Sequence, residues 1–226
     1  MLPLVYLWEL IDSHATESEF MHAVADTFGP HSSAHMMITI AYDIMVRGHR
    51  GDKRHSGEQY IKHTLAVAII VMLHLRVHDY QVVIAALLHD VVEDHPERYG
   101  LGSIESVFGP RVARIVASVT KPPYEEYGGK TLAHARATAR QVMDAGWESV
   151  VVKLADRLNN LMSLWGSRRK KCAKLVETFR HFLPIAFKYR VLVVELSIAL
   201  VWQLCSPRLY AEGSSEIGRR CKEQHC

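Results

Sequence analysis

Ala85-Ala-Leu-Leu-His-Asp-Val-Val-Glu-Asp-His95 is the stretch on which the fold turns. With Tyr80 to Ile84 it predicts one helix from Tyr80 to about Asp94, capped by Asp79. The segment is apolar until His89 and Asp90 interrupt it. On a helix, residues three and four apart share a face, so Asp90 lies with Glu93, His89 with Glu93, and Asp90 with Asp94. An exposed helix would carry such groups opposite its apolar stripe, whereas here they break into it.

Upstream, Met36 to Arg50 reads as a helix with an apolar face of Met37, Ile40, Tyr42, Ile44 and Met45. Gly51 to Tyr60 reads as a polar loop carrying Lys53, Arg54 and His55. Ile61 to Leu75 follows as a helix on the spacing of Leu65, Ala68, Ile69 and Met72, with His63 near its start. Downstream, Ser103 is expected to cap Ile104 to Phe108, and Pro110 to open a helix over Arg111 to Val119. Lys121 to Gly129 reads as a loop, either a cover for a site or a plain connection. Thr131 to Asp144 is a surface-type helix.

Glu148 to Trp165 has a β-branched start that suits a strand. The spacing of Val152, Leu154, Ala155, Leu158 and Leu161 favours a buried helix, with Lys153, Asp156, Arg157 and Asn160 as a polar row. A basic turn at Ser167 to Lys171 leads to helices over Cys172 to Phe187 and Val191 to Leu204. No period-two pattern persists. The expected architecture is all-α, a single helical bundle of about eight to ten helices. The domain spans 34–205, between an N-terminal extension over 1–33 and a polar tail over 206–226. Met1 to Ile11 fits a helix or a strand, and the extension is assigned no function.

Hydrophobic residues make up 49% of the 226-residue chain and charged residues 23%, as in an ordinary globular protein. A net charge of +3 gives no ground for a nucleic-acid partner. The cysteines, Cys172, Cys205, Cys221 and Cys226, contain no Cys-x-x-Cys pair, which excludes the usual zinc and disulfide patterns. Val191 to Leu204 is interrupted by Glu195 and too short to span a membrane. The start lacks a secretory signal, so a cytoplasmic, reduced protein is expected.

A His-Asp pair alone also fits a helix cap or a hydrogen bond that settles a buried imidazole. Three features favour a metal. Glu93 and Asp94 add carboxylates whose repulsion a cation would relieve. Asp156 lies in a second apolar helix, where an unpaired carboxylate is costly. His63 opens a third helix. Two imidazoles and two carboxylates from His63, His89, Asp90 and Asp156 suit manganese, iron or zinc, with positions left for water.

This pattern resembles the HD phosphohydrolase superfamily. Ser56-Gly-Glu-Gln-Tyr-Ile-Lys-His63, Ala85 to Asp94, Phe108-Gly109, Val119-Thr-Lys121 and Lys153-Leu-Ala-Asp-Arg-Leu-Asn-Asn160 resemble, more narrowly, the hydrolase domain of the Rel/Spo family. That family removes pyrophosphate from the alarmone guanosine 3′,5′-bis(diphosphate), ppGpp. The resemblance runs from about Ala34 to about Trp165 and less distinctly to Leu204. It implies one manganese ion held by His63, His89, Asp90 and Asp156. It also implies catalysis by Glu93 and Asp94, and nucleotide contacts from Arg54, His55, Ser56, Asn160 and Ser163. The implied reaction is attack of metal-activated water on the 3′-pyrophosphate, without a covalent enzyme intermediate.

The chain departs from the family pattern at Gln59 and Thr64, where proline is usual, and at His55, Asn159 and Met162. His55 and Met162 bear on base selectivity rather than on hydrolysis. The segment after Leu204 is too short for a synthetase domain, so the chain resembles a stand-alone small alarmone hydrolase. Its expected partner is a small nucleotide, with no nucleic acid or membrane. Two other functions fit the same residues. One is hydrolysis of a different phosphorylated nucleotide, such as the adenosine counterpart or the 2′-phosphate of NADPH. The other is a catalytically silent nucleotide sensor, against which the intact Glu93-Asp94 pair argues.

Overall fold

The computed structural model describes residues 2–54, 56–122 and 131–205, and among them every regular element is helical. The helices are α1 (Leu2–Asp12), α2 (Glu17–Phe28), α3 (Ser33–Gly48), α4 (Tyr60–Ile69), α5 (Tyr80–Leu88) and α6 (Val91–Asp94). They continue with α7 (Leu101–Val119), α8 (Thr131–Ala145), α9 (Trp147–Met162), α10 (Arg168–Glu177), α11 (Leu183–Tyr189) and α12 (Val193–Cys205). One π-helical turn, Ile70–His74, prolongs α4, and another, Thr178–Phe182, joins α10 to α11.

The centre of the bundle is α5. Its residues from Val82 to Leu88 are all buried, as expected of a helix that is apolar on every side. It packs against α3, α4, α7 and α9, and α9 is itself buried along almost its whole length. The β-branched start of α9 does not make a strand, because Val150, Val151 and Val152 are enclosed by neighbouring helices. Tertiary burial outweighs the modest helix penalty of β-branched residues.

Three local details differ from expectation. The expected continuous helix through Asp94 breaks at His89-Asp90 into α5 and α6. Here the imidazole of His89 bonds back to the Ala86 carbonyl at 2.7 Å, within the last turn of α5. The helix expected to start after Ser103 instead begins at Leu101, capped by Gly100, and runs to Val119. Only Gly109 departs from helical geometry, at φ 85°, and Pro110 then opens the second half. Finally, the buried face of α3 is Ile38, Ala41, Tyr42 and Met45, while Ile40 is exposed.

Asp79 caps α5 as expected, accepting a hydrogen bond from the Gln81 amide at 3.0 Å. No helix among the described residues is long and apolar enough to cross a membrane. Cys172 and Cys205 are free thiols.

Helix α1 packs on α4, the Ile70–His74 turn and α12, and buries Leu4, Leu7 and Ile11. We therefore expect Leu7→Ala to cost about 2–5 kcal/mol in denaturant unfolding, as for other fully buried leucines. A loss under about 0.5 kcal/mol, the range of surface substitutions, would show that α1 contributes little to the core.

Candidate active site

Four polar side chains meet where α4, the α5–α6 junction and α9 converge. His63 comes from the first turn of α4, His89 and Asp90 from the junction, and Asp156 from the middle of α9. All four are buried. His63 Nε2 lies 3.5 Å from Asp90 Oδ2 and 3.4 Å from Asp156 Oδ1. His89 Nε2 lies 3.1 Å from Asp90 Oδ2 and 3.9 Å from Asp156 Oδ1.

Both imidazoles are set in one tautomer by their far nitrogens. His89 Nδ1 meets the Ala86 carbonyl, which only accepts, so this nitrogen carries the proton and Nε2 is left as a lone pair. His63 Nδ1 similarly meets Asn159 Oδ1 at 2.7 Å. His89 Nε2 is buried and has no hydrogen-bond partner among the described residues, although it faces two carboxylates. A divalent ion between the two imidazoles and two carboxylates would satisfy that orphaned nitrogen and suits the donor set.

The carboxylates are held ionised. Burial alone would raise Asp90, but positive charge beside it, supplied by the protonated forms of His89 and His63 when no ion stands between them, keeps its pKa well below 3.8. Tyr60 adds a hydrogen bond to Asp90 Oδ2 at 2.7 Å. Burial also opposes the charge of Asp156, and the Lys153 ammonium at 2.9 Å outweighs it. Lys153 is itself fully buried and donates to the Val119 carbonyl at 3.1 Å.

Beside this cradle opens a cleft of 530 Å³. Arg54 spans one wall, donating to Ser163 Oγ at 2.7 Å and Asn160 Oδ1 at 2.5 Å. The Asn160 amide in turn donates to Asp156, which links the cleft to the cradle. Ser56 and Asp94 also line the cleft. The cations Lys53, Lys170 and Lys174 and the indole of Trp165 do so as well; Lys53 belongs to the cationic loop noted in the sequence, whereas Lys170, Lys174 and Trp165 carried no sequence signal for the site.

Glu93 and Asp94 are not equivalent. Glu93 accepts from the Lys121 amide at 3.1 Å and pairs with its ammonium at 2.5 Å. Asp94 faces the cleft, and its pKa is raised by burial first and then by Asp90 and Glu93. His55 and residues 123–130, which include most of the expected covering loop, lie outside the described residues.

Sequence reading alone also missed Asn159, Tyr60 and Lys153 as supports of the cradle. A usable signal for Asn159 lay in its spacing, three residues beyond Asp156 on the same helix.

Residues 41–189 match the HD domain. The chain is 38% identical over 146 residues to a guanosine-3′,5′-bis(diphosphate) 3′-pyrophosphohydrolase of Haemophilus influenzae, covering 62% of this chain and 20% of that protein. It is 35% identical over 151 residues to the bifunctional (p)ppGpp synthase/hydrolase SpoT of Escherichia coli, covering 66% of this chain and 21% of that one. A GTP pyrophosphokinase of Streptomyces coelicolor is 34% identical over 174 residues, 76% of this chain and 20% of its own length. The chain thus spans about a fifth of the length of these curated relatives. A solved structure described as a metazoan ortholog of SpoT that hydrolyses ppGpp shares the fold. Its TM-score is 0.65 at 23% identity, over 77% of this chain and 98% of that one.

Because Asn159 sets the orientation of His63, Asn159→Ala is expected to weaken divalent-metal affinity about 10–100-fold while the protein stays folded. Unchanged affinity in a calorimetric titration would remove Asn159 from the site.

Proposed function

Since the chain belongs to the HD-domain family, we propose that it is a manganese-dependent pyrophosphohydrolase of guanosine 3′,5′-bis(diphosphate). The observation that carries this reading is the continuity of the site. One cleft runs from Arg54, Asn160 and Ser163 to Asp94, and the Asn160 amide ties it to the buried cradle through Asp156.

In this reading His63, His89, Asp90 and Asp156 hold the ion. When bound, the ion lowers the pKa of water and offsets charge developing at phosphorus. The protein's own groups do the remaining work. Lys53, Arg54, Lys170 and Lys174 offset the several negative charges of the nucleotide as it leaves water. Asn160 and Ser163 hold Arg54 against the wall, and the exposed indole of Trp165 offers a flat face to the base.

Asp94 accepts a proton from the attacking water, a role suited to a carboxylate with a raised pKa inside the cleft. The bond from the 3′-oxygen to phosphorus breaks, pyrophosphate leaves, and the 3′-oxygen takes up a proton. Glu93, held by Lys121, fixes the turn that carries Asp94.

The decisive experiment incubates the manganese-loaded chain with the guanosine and adenosine 3′,5′-bis(diphosphates) and with NADPH. Pyrophosphate and GDP from the guanosine compound are expected. Preferred release of pyrophosphate from the adenosine compound, or of phosphate from NADPH, would replace the substrate. No turnover by folded, metal-bearing protein would leave a nucleotide sensor as the function. In the same assay Asp94→Asn is expected to lower kcat about 10²–10⁴-fold with metal content unchanged. Full activity of that variant would remove Asp94 from proton transfer.

A further inference from the structure

Beside the cleft lies a smaller cavity of 180 Å³, walled by Lys121 after α7, Thr138 of α8, Arg157 of α9, and Lys174 and Glu177 of α10. Lys174 lines the cleft as well, so the two spaces meet at one side chain. The cavity is far larger than a single water needs. Arg157 is only 5% exposed. Among the described residues its five N–H donors make one hydrogen bond, from Nη1 to Glu177 at 3.4 Å, and its Nε has no partner.

An ion pair with Glu177, with the guanidinium 4.0 Å over the Phe182 ring, would explain why Arg157 is buried. It does not explain the charge balance. Glu177 is the single carboxylate among the described residues of the cavity wall, and it serves both Arg157 at 3.4 Å and Lys174 at 3.1 Å. The charge of Lys121 is matched separately by Glu93. One positive charge therefore stands uncompensated at the cavity, where burial makes it costly. Lys174 registers the strain, because burial first and then Arg157 push its pKa down to about 8. A guanidinium with free N–H donors matches the oxygens of a phosphoryl group, and the two ammoniums complete the set.

We propose that this cavity binds the pyrophosphate that the nucleotide releases, with Arg157, Lys174 and Lys121 as its donors. The position of the cavity favours that occupant. Lys121 holds Glu93, the neighbour of Asp94, and Lys174 lines the cleft, so the cavity adjoins the space where the phosphorus–oxygen bond breaks in the proposed reaction. Glu177, standing among the cations, weakens their hold on an anion and so favours release of the product. Binding of a phosphoryl anion here is independent of the hydrolase reading, whereas its origin in the nucleotide rests on that reading. Free inorganic phosphate carries the same chemistry on a smaller frame, and the test separates the two.

The full chain is titrated calorimetrically with inorganic pyrophosphate and, in parallel, with inorganic phosphate. Pyrophosphate is expected to bind the more tightly. Arg157 lines the cavity and not the cleft, and Arg157→Gln is expected to weaken pyrophosphate about 10–100-fold. Glu177→Gln keeps the shape of the wall and removes the competing charge, so it is expected to bind pyrophosphate more tightly. That variant decides the matter should Arg157→Gln fail to fold. No turnover enters the titration, so a chain that binds pyrophosphate through Arg157 yet hydrolyses no nucleotide supports the site and contradicts the hydrolase reading alone. Phosphate bound as tightly as pyrophosphate would overturn the choice of occupant. Pyrophosphate affinity unchanged in either folded variant would overturn the site itself.

Discussion

The interaction on which the rest depends is the burial of two carboxylates and two imidazoles at the meeting point of three helices. Asp90 and Asp156 are ionised in the interior, where an unpaired charge is costly. The fold meets that cost with partners assembled from distant parts of the chain. Lys153 pairs with Asp156, Tyr60 donates to Asp90, and Asn159 and the Ala86 carbonyl orient the two imidazoles. Removing one partner from such a buried pair typically costs about 3–5 kcal/mol, so these supports couple the site to the stability of the bundle.

The same constraint explains the local irregularities. A regular helix through Asp94 would have kept His89, Asp90 and Asp94 on one cylinder. The break after Leu88 leaves Asp90 in the interior and puts Asp94 at the cleft, while Glu93 turns to Lys121. The acidic pair that looks uniform in sequence is thus divided between an exposed position at the cleft and an anchored one. Arg54 makes the complementary connection from the other side, because its partners Asn160 and Ser163 lie one and two turns beyond Asp156 on and just after α9.

Much of this was legible in the residues. The apolar run of α5, the Asp79 cap, the Gly109-Pro110 interruption and the buried helix α9 follow from periodicity and backbone chemistry. The residues expected to form the cradle and the Arg54 wall come together as spacing and family resemblance implied. Other features depend on tertiary neighbours and were not legible. Ser103 looks like a cap, but the helix already starts two residues earlier, at Leu101. Lys170, Lys174 and Trp165 have no motif and reach the cleft only because the chain turns back after α9. Arg157 neighbours Asp156 in sequence, but only the fold brings Lys121 and Lys174 to it.

The most direct test of the buried cradle is anomalous diffraction at the manganese edge from crystals soaked in manganese. The expected result is a peak bonded to His63 Nε2, His89 Nε2, Asp90 and Asp156. Manganese bound elsewhere in the crystal, with no peak among these four side chains, would contradict the metal site from which the proposed chemistry starts.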